Sequence, residues 1–148
     1  MDLNNHQFAQ EIANSYKVEK ALTDKLNKEI KTEEEILKQS EVIAEALMNR
    51  SKLRTVVSEK DFYFTFKVQP ILVKKRHKVT NEIKEIPIDH IVLIVADINK
   101  YNLSGGKYMP FVAKAEVDKN YSIKDNLKTV VEAFIRHLTG NIKPESLE

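Results

Sequence analysis

The stretch FYFTFKVQP, residues 62–70, decides the fold of this chain. Apolar side chains occupy every second position from Phe62 to Val68, and this period of two places them on one face of a β-strand. The run IVLIVA at residues 91–96 contains no polar residue, which is typical of a strand that is buried on both faces. The two segments therefore predict a β-sheet at the centre of the protein.

The length and composition of the chain predict one folded domain over residues 1–148. This is the usual size of a single domain, and 42% hydrophobic and 31% charged residues are typical of globular proteins. We predict the α+β class, with two N-terminal helices, an antiparallel sheet of three to four strands and one C-terminal helix packed on the sheet. The expected parts are a helical part at 1–50, the sheet at 60–118, the C-terminal helix at 122–140 and a polar tail at 141–148.

Helix signals flank the sheet on both sides. Thr32 followed by Glu35 is a capping-box pattern that starts a helix, and Ser122 with Asp125 repeats this pattern after the sheet. The C-terminal helix is expected to stop at Gly140. Apolar residues also recur at spacings of four in the N-terminal half, at Phe8, Ile12 and Tyr16 and at Leu22, Leu26 and Ile30. The N-terminal helices either cover one sheet face or form an arm that binds a partner.

A hairpin with a charged tip is predicted in the middle of the sheet region. Pro70 has no N–H to donate to a neighbouring strand, so its strand lies at a sheet edge or bulges there. Thr80 and Asn81 supply the turn. Basic residues before the turn are expected to face Glu82 and Glu85 after it, because opposite charges across strands attract.

Two further segments flank this hairpin. Residues 51–58 fit either the end of a helix or a short strand, and the sequence does not decide between them. The glycine-bearing segment Ser104–Lys107 is expected to be a hairpin turn, because a P-loop needs a longer glycine-spaced cradle and a following helix.

The main functional hypothesis is a protein-binding or regulatory protein that acts through a partner or self-association surface. The amphipathic N-terminal half and the expected edge strand near Pro70 favour a protein partner or a homo-oligomer. The residues expected to form this surface are apolar positions of the hairpin strand, Phe62, Phe64, Phe66, Ile71 and Val73.

The alternative hypothesis is a nucleic-acid-binding accessory protein that uses the basic hairpin, because basic side chains bind phosphates with release of counterions. The candidate contacts are five consecutive residues, Lys74, Lys75, Arg76, His77 and Lys78. Lys67 and Lys84 would join them if they lie beside the cluster. Residues 1–50 hold seven basic and ten acidic side chains, net −3, whereas residues 51–148 hold seventeen and twelve, net +5. The competing interpretation is an exposed edge strand that its lysines protect from aggregation.

The sequence favours a non-enzymatic protein without catalytic residues, metal site or small-molecule cofactor. It contains no cysteine, which excludes disulfides, thiolate metal sites and cysteine nucleophiles. Asp89, His90, Asp97 and His137 are residue types that bind metals or transfer protons, but adjacent strand residues point to opposite faces. A hydrolase or nuclease built on Asp89, Asp97 and His137 is therefore the least supported hypothesis.

No membrane partner is expected. No apolar run approaches the roughly 18 residues of a membrane-spanning helix. The first thirty residues carry acids, amides and lysines instead of the apolar core of a signal peptide. We therefore expect a cytoplasmic protein.

Overall fold

Among the residues that the structure describes, four strands form one antiparallel sheet in the order β1-β2-β3-β4, and helices precede, interrupt and follow it. The computed structural model describes residues 11–12, 20–26, 29–105 and 107–140. The helices are α1 (Lys20–Leu26), α2 (Glu33–Arg50), α3 (Ile98–Leu103) and α4 (Ile123–Leu138). The strands are β1 (Lys52–Val57), β2 (Lys60–Arg76), β3 (Ile83–Asp97) and β4 (Phe111–Glu116). The predicted α+β class is confirmed, including the C-terminal helix packed on the sheet.

The larger hydrophobic core lies between one sheet face and helices α1, α2 and α4. Phe64 and Leu93 are fully buried there, and the ring of Phe134 from α4 meets the ring of Phe64 edge-on at 5.4 Å. Such aromatic pairs add stability beyond the area that they bury. This core anchors the helices on the sheet face that the Phe62–Val68 alternation predicts.

A smaller core covers the opposite face of the sheet. Its buried members include Ile12, Tyr63 and Tyr101, and they pack against residues of β3. The run 91–96 supplies both cores, because Ile91, Leu93 and Val95 belong to the larger one and the residues between them to the smaller. This strand is therefore buried on both faces, as its sequence predicts.

The predicted helix signals are confirmed at both ends of the sheet. Thr32 Oγ1 accepts a hydrogen bond from the Glu35 N–H at 3.2 Å and donates to Glu35 Oε1 at 3.1 Å. Ser122 Oγ accepts from the Asp125 N–H at 3.1 Å. Gly140 adopts a φ of +75° just after α4, as a helix-ending glycine does. Residues 11–12 are helical, whereas Phe8, Tyr16 and the tail at 141–148 lie outside the described residues.

One connection decides an alternative that the sequence leaves open, and another is longer than predicted. Residues 51–58 contain strand β1, which continues into β2 through a two-residue turn at Ser58 and Glu59. The turn predicted at Ser104–Lys107 is only part of the connection between β3 and β4, because helix α3 precedes it. Asp97 starts this helix by accepting a hydrogen bond from the Lys100 N–H at 3.1 Å.

Candidate interaction surface on the β2–β3 arm

The two central strands are much longer than the strands beside them. β2 has 17 residues and β3 has 15, whereas β1 and β4 have six each. β1 pairs only with residues 60–65 of β2, and β4 pairs only with residues 90–95 of β3. The hairpin therefore extends beyond the rest of the sheet as a ribbon, which we call the β-arm (residues 66–89). In the part of the chain that the structure describes, its ladder from Pro70 to Arg76 has no third strand on either side.

The loop at residues 77–82 closes the β-arm, and His77 organises it. The His77 N–H donates to the Glu82 carbonyl at 2.8 Å. Its ring Nδ1 accepts hydrogen bonds from the N–H groups of Val79 at 3.2 Å and Thr80 at 3.3 Å. Asn81 then adopts a left-handed φ of 60°, which asparagine tolerates well. His77 therefore has a structural role in the turn.

One face of the β-arm is apolar and exposed. Every second residue of β2 shares a face with its partner on β3. The face that carries Phe62 and Val68 therefore continues onto the arm, past the end of the helix layer. The exposed fractions are 42% for Val68, 63% for Leu72 and 58% for Ile83. We call this surface the outer face, and its apolar members are Val68, Pro70, Leu72, Ile83 and Pro87.

The opposite face of the β-arm turns toward the smaller core. Ile71, Val73 and Ile88 are half-buried on this face, and Ile71 packs against the smaller core. Ile86 on this same face is 42% exposed, so the arm packs against its own protein mainly near Ile71.

The fold places the residues expected to bind a protein partner in different environments. Phe62 and Phe64 lie inside the larger core with exposed fractions of 4% and 0%, and Phe66 packs at its margin. Ile71 and Val73 lie on the opposite face of the arm. The outer-face set defined above is exposed instead, and so are Val79 in the loop at the tip and Ile86 on the opposite face. The sequence signal for Val68, Pro70 and Leu72 is an apolar residue at every second position, which continues from Phe66 to Leu72.

The basic cluster lies at the tip of the β-arm (residues 74–84), and its side chains are exposed. Lys74 lies opposite Glu85 on the outer face, as the hairpin prediction expects for this charge pair. Lys75 lies opposite Lys84 on the other face, with its Nζ 4.0 Å from Glu116 Oε1. Arg76 returns to the outer face. Lys67 pairs with Val92 at the base of the arm, far from the tip.

Acidic residues lie on the β4 side of the base of the β-arm. The Val117 N–H donates to the Asp89 carbonyl at 2.9 Å, which places the end of β4 beside the arm. Asp118 follows, and its N–H donates to Asn126 Oδ1 of α4 at 2.7 Å. Asp118 and Asp125 line a groove of about 550 Å³ together with Tyr121, which is 63% exposed. We call the exposed acids Asp89, Asp118 and Asp125 the root.

The candidate metal or catalytic residues are not brought together. His90 Nδ1 lies 2.7 Å from the carbonyl oxygen of Ile88, and Asp97 caps α3. The ring of His137 lies 4.9 Å from the ring of Phe111, while Asp89 is exposed at the root. Within the described ranges, no group of three His, Cys, Asp or Glu residues is placed to hold a metal ion.

The β-arm thus combines an exposed apolar face with a basic tip. No helix among the described residues is long and apolar enough to cross a membrane. Comparison of the chain with protein-family models, with curated proteins and with solved structures finds no match.

Proposed function

We propose that this chain is a non-enzymatic protein-binding protein whose binding surface is the outer face of the β-arm. The observation that carries the proposal is the exposure of Val68, Leu72 and Ile83 on one face of a projecting ribbon. Burying an exposed side chain of this size contributes about 1.5–3 kcal/mol when burial is complete. A protein partner that covers the outer face would gain this contribution from several side chains.

Contact through the face of the arm is favoured over addition of a strand to its edge. Free strand edges invite pairing with other chains, and proteins block this with proline and lysine. Pro70 removes one donor from the β2 edge, and the lysines at residues 74–84 place charges along the tip. The edges are therefore poorly suited to strand addition, while the outer face keeps its apolar side chains exposed.

The test compares a variant of the outer face with a matched variant elsewhere. Leu72→Ser combined with Ile83→Ser removes the centre of the apolar surface, whereas Leu103→Ser alters an 88%-exposed leucine of α3. Proteins that co-purify with the tagged chain from its own cells are quantified by mass spectrometry. We expect the arm variant to lose specific proteins that both the unmodified chain and Leu103→Ser retain. Equal recovery from all three would overturn the proposal.

A second candidate function is nucleic-acid binding by the tip, supported by its five exposed cations. These residues are Lys74, Lys75, Arg76, Lys78 and Lys84. They are divided between two faces, and Glu85 lies beside Lys74, so they form a weaker site than a single basic face. Anisotropy titration with DNA and RNA should give affinity that falls with salt and is lost in Lys78→Glu with Lys84→Glu. Lys114→Glu, on β4, is the control, and absence of salt-dependent binding would reject this candidate.

A further inference from the structure

We infer that His77 is a pH-sensitive switch at the tip of the β-arm: its neutral ring closes the loop at residues 77–82, and protonation of the ring opens it. The observation that carries this inference is the pair of hydrogen bonds that ring Nδ1 accepts from the N–H groups of Val79, at 3.2 Å, and Thr80, at 3.3 Å. The switch acts at the end of the arm, whichever partner binds the outer face.

The closed loop requires one form of the ring. A neutral imidazole has one nitrogen that accepts and one that donates, whereas both nitrogens of the charged ring donate. Nδ1 of His77 therefore accepts its two hydrogen bonds only when it carries no proton and Nε2 carries the hydrogen. Uptake of a proton at Nδ1 removes both bonds and turns a ring N–H toward the N–H groups of Val79 and Thr80. Because His77 is exposed, the proton comes directly from the solvent.

Other hydrogen bonds keep the ends of the loop together when the ring is charged. The His77 N–H donates to the Glu82 carbonyl at 2.8 Å, and the Asn81 N–H donates to the His77 carbonyl at 2.9 Å. The Glu82 N–H donates to Thr80 Oγ1 at 3.3 Å. None of these bonds involves the ring. Opening is therefore local to residues 78–80 and leaves the strands of the arm paired.

The charges near the ring also disfavour its protonated form in the closed loop. Residues 74–85 carry five cations and two carboxylates, namely Lys74, Lys75, Arg76, Lys78 and Lys84 and Glu82 and Glu85. Glu116 of β4 lies 4.0 Å from Lys75 Nζ. The excess of cations repels a charged ring, which adds to the loss of the two hydrogen bonds. Salt screens this repulsion between exposed groups but does not restore the hydrogen bonds, so the pH dependence should persist at high salt.

The sign of the pH dependence follows from proton binding. The open loop binds a proton that the closed loop excludes, and the structured state gains stability with pH wherever the less structured state binds more protons. Histidine changes charge between about pH 5 and pH 8. We therefore expect a closed loop at the upper end of this range and an open loop at the lower end.

Nuclear magnetic resonance on the full chain tests the ring and the loop together. Near pH 8, the ring nitrogen signals of His77 should show the hydrogen on Nε2, and the amide protons of Val79 and Thr80 should have shifts typical of hydrogen-bonded groups. As the pH falls to about 5, Nδ1 should gain a proton and both amide signals should move upfield together, at low and at high salt. A hydrogen on Nδ1 near pH 8, or amide signals that stay in place while the ring titrates, would overturn the inference.

Two variants separate the hydrogen bonds from the charge. His77→Asn supplies a side-chain oxygen that can accept from N–H groups two and three residues on, so its loop should stay closed at both pH values. His77→Ala has no acceptor, so its loop should be open at both. His90→Gln, outside the loop, is the control and should keep the pH dependence. An Ala variant with the closed-loop signals of Val79 and Thr80 would show that the ring does not hold the loop, and unchanged amide signals elsewhere in β2 and β3 show that each variant is folded.

Discussion

Arg136, in the last turn of α4, donates two hydrogen bonds to the carboxylate of Glu33, in the first turn of α2, across 103 positions of sequence. The Nη1–Oε2 distance is 2.7 Å, and Nη2 donates to Oε1. The acid lies at a helix N-terminus and the base at a helix C-terminus, so each is also favoured by its own helix dipole. The pair joins the two long helices that cover the sheet.

Glu33→Gln should destabilise the protein above pH 4.5 and have little effect well below it. The hydrogen bond from Arg136 and its charge lower the pKa of Glu33 from 4.5, against a smaller opposing effect of burial. A lowered pKa stabilises the fold above the unfolded-state value, and this stability is lost as the pH falls through the folded-state value. Urea unfolding on both sides of pH 4.5 measures it. Glu34→Gln, which removes an exposed pair with Lys38, is the control, and an equal effect of the two would contradict the expectation.

Glu59→Gly should raise the free energy of unfolding by about 1 kcal/mol. Ser58 and Glu59 have φ values of 50° and 69°, the left-handed geometry of a type I′ hairpin turn. A residue with a Cβ is strained in this region by roughly 1–2 kcal/mol, and glycine is not, although it loses more entropy on folding. Urea unfolding measures the gain. The matched change Lys60→Gly, in the adjoining strand, should lower stability instead.

The same turn explains why β1 could not be assigned from sequence. Hairpin turns of this type are recognised by Asn-Gly or Asp-Gly, and Ser58-Glu59 carries neither. Sequence patterns predict the structure correctly where interactions between neighbouring residues decide it. The cap at Thr32 and the unbroken apolar run at 91–96 have the structure that they predict.

The candidate site could be predicted only in part, because the burial of a side chain depends on which other elements of the fold cover it. Phe62 and Leu72 share one strand face and one sequence pattern, yet they are 4% and 63% exposed. Alternation shows which side chains share a face. It does not show where α2, α4 and the short neighbouring strands end, and those ends decide which residues are exposed.

Asn126→Ala should lower the free energy of unfolding by about 1–3 kcal/mol, because it removes the hydrogen bonds of a buried side chain. Asn126 Oδ1 accepts from the Asp118 N–H at 2.7 Å, and its Nδ2 donates to the carbonyls of Asp118 at 3.0 Å and Ser122 at 2.8 Å. It therefore joins the end of β4 to the start of α4. Chemical denaturation measures the loss, and the exposed Asn120→Ala should change stability far less. A neutral Asn126→Ala would show that water replaces these bonds.

Tyr63→Phe should remove part of the alkaline destabilisation of the protein. Burial, with a smaller contribution from Glu11, raises the pKa of Tyr63 from 10.0 to about 12. Below the unfolded-state value the hydroxyl is neutral in both states and stability is fully present. The free energy of unfolding falls as the pH rises from 10.0 to about 12, by at most about 1.4 kcal/mol per pH unit. Urea unfolding of both proteins across this window should show the variant losing less stability, and parallel curves would contradict the assignment.

Leu72→Ser should leave the monomer as stable as the unmodified chain, within about 0.5 kcal/mol, because exposed side chains contribute little to folding. Leu93→Ala, at a fully buried site of β3 in the larger core, should cost about 2–5 kcal/mol through lost burial and a cavity. Urea unfolding at low protein concentration keeps any dimer dissociated, so the comparison reports on the single chain. If Leu72→Ser became destabilising only as the protein concentration rises, its apolar side chain would stabilise an assembly and not the fold. If it were as costly as Leu93→Ala when dilute, Leu72 would belong to the core, and the outer face would not be a binding surface.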